Sequence, residues 1–258
     1  MKSIELDAKL KAEEARSKLG CGTEPILDIF TLIEGEGILL IRAPINRESL
    51  SAFFLRKKSE FVIFINTSKT LGHQYFSAAH ELYHYIYDKD MVGQICNTAL
   101  FNNNKSENEK MADYFAVNFL MPESSVIRYA SKITGSKYLE INDIIKMQQY
   151  FKVSYLSMLI RLKELELISP KQYQRLKEIK IISKSRSLGY DSKLLLPTED
   201  KYISPDYIQL AMSLYESGDI TYNKLKEYLQ ETGFNADELL SYKNKEVDEF
   251  AEETPVDY

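Results

Sequence analysis

The stretch Ala79-His80-Glu81-Leu82-Tyr83-His84 holds two of the three histidines in the chain, and its reading decides the fold. In an α-helix, residues four apart lie one above the other, so His80 and His84 can aim both imidazoles at one point. Glu81 is rotated about 100° from His80 around the helix axis. It can therefore reach the open side of an ion held by the two histidines and take a proton from water there. The same spacing also arises by accident on ordinary core helices, where the histidines are merely packed and hydrogen-bonded. The helix itself is supported by Phe76, Ala79, Tyr83 and Ile86, with Leu82 alongside, which form a core-facing stripe. His73 shares the face of His80 but lies two turns earlier, about 10 Å away, too far for a shared ion. It reads as a structural residue or a distal substrate contact.

A catalytic metal of this kind needs a third protein ligand and a position left for water. With no histidine in reach, the ligand must be a carboxylate. The segment Glu109-Lys-Met-Ala-Asp113 offers one, provided that Ala112 and Ala116 form the face of a second helix that approaches the first closely. Glu107 is the rival; Glu109 is preferred because its offsets of four to Asp113 and seven to Ala116 keep it on that face, whereas Glu107 is expected in the preceding loop. Asp113 shares the face and can accept a hydrogen bond from the non-ligating nitrogen of one histidine, which would fix its tautomer. The expected set is zinc on His80, His84 and Glu109, Glu81 as general base, and Asp113 in support.

Working outward, Ser3–Leu19 reads as a helix, with Gly20 and Gly22 as stop signals. A short helix is expected over Pro25–Leu32. Three β-rich runs follow, Ile38–Ile41, Ala52–Leu55 and Phe61–Asn66, read as a small antiparallel sheet. The last of them, FVIFIN, is expected to offer an edge to an extended substrate. Ser68 is placed as the cap of a helix from Leu71 to Tyr87. A polar loop, FNNNKSEN at 101–108, leads into a helix from Glu109 to Leu120, and Ser124 or Ser125 begins the next. Helical patterning runs from Asn142 to Leu176, loosens through SKSRSLGYDSKLLLPTED, and returns from Pro205 to Leu240. The tail after Asn244 is acidic and expected to fray.

Two segments carry a family resemblance: FSAAHELYH at 76–84 and ENEKMADYFAVNFLMP at 107–122 resemble the ImmA/IrrE family of metallo-endopeptidases. The stretch IIKMQQYFKVSYLSMLIRLKELELIS also looks like the family, so the likeness covers roughly residues 25–180. Two departures stand out: Tyr83 occupies a position where the family usually has glycine, and Asp113 one where asparagine is common. The resemblance implies an α+β, zincin-like fold, and as substrate a helix-turn-helix repressor of a phage or mobile element. The organisation expected is a zincin-like domain with its N-terminal helix over 1–130, a helix-turn-helix-like segment over 131–187, and an acidic helical region over 188–258.

Composition bounds the alternatives. The 258 residues are 44% hydrophobic with a formal net charge of -5, as for a folded domain with a substantial core. No apolar run approaches the roughly 18 residues of a membrane span, and the charged N-terminus does not read as a signal peptide, so the expected compartment is the cytoplasm. Cys21 and Cys96 lack a C-x-x-C partner and read as packing residues. Residues 136–187 carry 11 Lys/Arg against 5 Asp/Glu, and residues 199–258 carry 5 Lys against 15 Asp/Glu. Solvated helix faces that attract each other explain this; so would a charged partner. A DNA-binding or toxin-antitoxin-like regulatory role is the alternative function, with a helix-turn-helix read in Asp143–Phe151 and Tyr155–Leu165. The second of these helices is too apolar to read bases. The segment is instead expected to dock a protein substrate, with Lys146, Lys152, Arg161 and Lys163 as a basic rim.

Overall fold

The computed structural model describes residues 3–57, 60–89, 93–96, 106–134, 138–230 and 234–241. The chain forms two compact units, Met1–Lys201 and Tyr202–Tyr258. The first opens with α1 (Ser3–Lys18), α2 (Ile29–Gly35), β1 (Leu39–Ala43), β2 (Ala52–Lys57), β3 (Glu60–Asn66) and α3 (Leu71–Tyr87). It continues with β4 (Gly93–Cys96), α4 (Glu107–Leu120), α5 (Glu123–Ile133), α6 (Ile141–Phe151) and α7 (Tyr155–Glu164), then α8 (Pro170–Lys177) and α9 (Ile181–Ser187). The second unit holds β5 (Tyr202–Ile203), α10 (Pro205–Glu216) and α11 (Tyr222–Gln230) around Met212, Leu225 and Leu229. Among the described residues no helix is long and apolar enough to cross a membrane. The acidic tail after Asn244, most of the 101–108 loop and the Cys96 side chain lie outside the described residues.

The sheet of the first unit is mixed, not antiparallel. Its order is β4-β2-β3-β1; β2 pairs antiparallel with β3 and β4, but β1 runs parallel to β3. Three β-rich runs with short polar connections suggest a small antiparallel sheet. The connection at 44–51 instead carries the chain across, so that β2 enters on the far side of β3. The buried Asn66 holds this crossing: its amide donates to Ile45 O and Leu50 O (2.9 and 2.8 Å), and its Oδ1 accepts from Ile45 N and Ser68 N (2.9 and 3.0 Å). With all of these groups satisfied, a polar side chain is tolerated in the core. A further consequence corrects the expected substrate edge. β3 is paired on both sides, so FVIFIN cannot accept another strand, whereas β4 stands at the end of the order among the described residues.

Element ends differ where side chains are used elsewhere. Ser68 does not cap α3; it bonds Glu199, the N-cap position falls to Thr70, and the Leu71 amide is satisfied by Leu196 O at 2.9 Å. Asp28 accepts from Phe30 N and starts α2 later than Pro25. Ser106 caps α4 by accepting from Glu109 N, which places Glu107 in the first helical turn and not in a loop. Pro122, rather than Ser124 or Ser125, precedes α5, and residues 183–187, expected to loosen, belong to α9.

The helix-turn-helix-like pair α6 and α7 packs inward. Ile144, Ile145, Met147, Met158, Leu159 and Leu162 are fully buried. Arg161 is buried as well and is no rim residue: it donates to Met121 O at 3.2 Å and to Asn118 Oδ1 at 2.9 Å. The turn between the two helices lies directly against the start of α3. A Cβ on Gly72 would fall 2.6 Å from Ser154 N and 2.8 Å from Val153 C, both backbone atoms that cannot rotate away. Glycine is therefore required there by close approach. Gly72→Ala is expected to cost about 2–4 kcal/mol, seen as a lower midpoint in thermal unfolding; an unchanged midpoint would show that this contact does not lock the helix.

Candidate metal centre

α3 is buried on nearly all sides between Gln74 and His84, so its polar residues must find partners inside the fold. α4 meets it through a face that includes Ala112 and Ala116, both fully buried. These small residues allow close approach, and Glu109 and Asp113, on the same face, arrive beside the histidines. Among the described residues, His80, His84 and Glu109 form the one group of three potential ligands, with ligand atoms all within 4.8 Å of one another.

Three distances define the group. His80 Nε2 lies 3.3 Å from His84 Nε2, Glu109 Oε2 lies 3.3 Å from His80 Nε2, and Glu109 Oε1 lies 3.3 Å from His84 Nε2. An ion bound tetrahedrally at about 2.0–2.1 Å places its ligands about 3.3–3.4 Å apart, so the donor set fits such an ion. The two other ring nitrogens are each held by a carboxylate. His80 Nδ1 donates to Asp113 Oδ1 (3.0 Å), and His84 Nδ1 donates to Asp88 Oδ2 (2.5 Å). A carboxylate only accepts, so each Nδ1 carries a proton and each Nε2 faces Glu109, free to give its lone pair to an ion once its own proton has left. Glu81 is fully buried one residue along from His80. The ring of Phe54, from β2, stacks on His84 with centroids 5.2 Å apart.

All five expected site residues are thus placed on two facing helices. His73 stands apart, with Nε2 2.9 Å from Ser51 Oγ. Asp88 was not foreseen. It lies four residues after His84, the same helical offset that joins the two histidines, but at a helix C-terminus, where the macrodipole disfavours a carboxylate. Asn108, which donates to Asp88 Oδ2 at 2.7 Å, was overlooked beside Glu109.

Electrostatics follow from the crowding. Burial alone would lower the His80 imidazole, but hydrogen bonds to Asp113 and Glu109 and the charge of Glu81 outweigh it and raise it to about 9. His84 is likewise raised against its burial, by Asp88 and Glu109. Burial would raise the Glu109 carboxyl, yet the two imidazoles hold it well below the usual carboxylate range. Without an ion, the site is balanced by protons on its histidines.

A mixed sheet with an H-E-x-x-H helix packed against it, completed by a carboxylate from a second helix, defines a zincin-like metallopeptidase class. The family model for Peptidase_M78, described as the IrrE N-terminal-like domain, matches residues 33–163, and the chain belongs to this ImmA/IrrE family of metallopeptidases. No curated protein sequence matches the chain.

Ligation requires neutral imidazoles, and the metal-free His80 keeps its proton up to about pH 9. Metal binding at pH 7 must therefore release protons, and affinity should rise as pH increases toward about 9. Titration calorimetry in buffers of different ionisation enthalpy reads the released protons directly. A binding heat independent of the buffer would contradict the protonated apo site.

Proposed function

We propose that this chain is a zinc-dependent endopeptidase, with His80, His84 and Glu109 as metal ligands and Glu81 as general base. The observation that carries the reading is the cluster of donor atoms, in which the two Nε2 atoms lie 3.3 Å apart and each lies 3.3 Å from one oxygen of the Glu109 carboxylate, next to a buried glutamate outside the cluster. Two neutral nitrogens and one carboxylate are a donor set that zinc accepts while keeping a position for water. When bound, zinc supplies a Lewis acid that acidifies water and polarises a scissile carbonyl.

The remaining work falls to the protein. Glu81 takes the proton of the attacking water and passes it to the leaving amine. Asp113 and Asp88 keep the two rings oriented while charge develops beside them. The end strand β4 is suited to receive an extended peptide by strand addition, since β3 is occupied on both sides. The substrate in this reading is a helix-turn-helix transcriptional repressor of a phage or mobile element, the expectation carried by the family resemblance. Exposed Lys163, Lys171, Arg175 and Lys177 on and around α7 and α8 would steer an acidic face of it. The inward packing of α7 supports this docking role over base reading.

Glu81→Gln should retain the metal and lose cleavage by at least about a hundredfold, because only the proton transfer is removed. Metal content and turnover measured on the same preparation decide it; retained turnover would defeat the mechanism. Reversing the charges of Lys163, Lys171 and Lys177 should raise KM for a full-length protein substrate while leaving cleavage of a short peptide unchanged. Salt-sensitive, sequence-selective DNA binding abolished by the same substitutions would favour the regulator instead.

A further inference from the structure

His84 ends a chain of hydrogen bonds that begins on α1, outside the residues matched by the family model. Lys11 Nζ donates to the Tyr83 hydroxyl at 3.3 Å, and that hydroxyl donates to Asn108 Oδ1 at 3.2 Å. Asn108 Nδ2 donates to Asp88 Oδ2 at 2.7 Å, and the same oxygen accepts from His84 Nδ1. From the ammonium to the carboxylate every donor points the same way, so each bond polarises the next. The Lys11 ammonium is also held over the rings of Tyr83 and Tyr87, 5.1 and 4.8 Å from their centroids.

We propose that Lys11, Tyr83 and Asn108 are positioning residues for the metal centre, which hold Asp88 in place and through it set the tautomer and plane of His84. The proposal rests on the metal-binding reading of His80, His84 and Glu109 given above. Two features favour a role beyond packing. Asn108 sits beside Glu109 in the first turn of α4, so the Asn108–Asp88 bond ties the helix of the third ligand to the helix of the other two. Tyr83 already fills its space with its ring, whose centroid lies 5.5 Å from both Phe115 and His84; the hydroxyl is what completes the chain. A residue with a small or apolar side chain at position 83 would leave the Asn108 amide unfixed. The metal site of this protein is thereby linked to its N-terminal helix.

The test is zinc affinity, measured by competition with a chromophoric chelator on the full-length protein, together with the thermal midpoint of the metal-free form. Tyr83→Phe keeps the ring and removes only the hydroxyl. It should weaken zinc binding by about three- to tenfold, and Asn108→Ala by about tenfold or more. Asn108→Ser should recover part of the loss. Lys11→Met should weaken binding by about two- to threefold alone, and add little on top of Tyr83→Phe, because the two act in series. The metal-free midpoint of Tyr83→Phe should stay within about 2 °C of wild type. Unchanged zinc affinity in Tyr83→Phe and Asn108→Ala, or a loss seen only with collapse of the metal-free fold, would overturn the proposal while leaving the metal centre intact. Wild-type affinity in His84→Ala would overturn the metal centre itself, and the positioning role with it.

Discussion

Two imidazoles and a carboxylate share one buried point between α3 and α4, and the rest of the first unit is arranged to keep them there. Three such groups cannot sit 3.3 Å apart in a dry interior without a balancing charge. Protons supply it in the metal-free protein, and a bound metal ion would replace them. The close packing that makes this possible depends on small residues, Ala112 and Ala116 on α4 and Gly72 at the start of α3. The sheet gives α3 a fixed starting point through Asn66, and α6 and α7 press against the same end through the Val153–Ser154 backbone.

The support around the ligands is asymmetric. His80 is oriented from α4 by Asp113, whereas His84 is oriented from its own helix end by Asp88. Asp88 is the C-cap residue of α3, beyond its last helical turn, and its carboxylate is held from α4 by Asn108. The family's metallopeptidase site is thus bordered in this chain by Asp88, Asn108 and Tyr83. Tyr83 stands among them, at a position where the resemblance leads one to expect glycine.

Much of the centre was legible in the sequence because helical geometry is local. An offset of four places His80 over His84, and offsets of four and seven place Glu109 with Asp113 and Ala116; the two-helix site needs only that these faces meet. Glu107 reads as loop in the sequence, since the Ser106 cap that begins α4 competes with several polar neighbours for that role. The sheet was less legible. Strand periodicity reports which face is buried but not which neighbour a strand takes, so the parallel pairing of β1 with β3 and the central place of β3 could not be read. Arg161 reads as a surface cation in the sequence because charge alone does not reveal that two acceptors, Met121 O and Asn118 Oδ1, wait in the core. Asp88 is hard to read from the sequence because a carboxylate at a helix C-terminus runs against the dipole, and the donors that offset this, His84 Nδ1 and Asn108 Nδ2, become apparent only once the two helices meet.

The central claim is that one ion sits among His80, His84 and Glu109. Diffraction from crystals of the zinc-loaded protein, collected on either side of the zinc absorption edge, tests it directly. The account predicts a single anomalous peak per chain, about 2.0–2.2 Å from both Nε2 atoms and from a Glu109 carboxylate oxygen. A peak bound elsewhere on the chain, or one ligated by the histidines with Glu109 turned away, would contradict it.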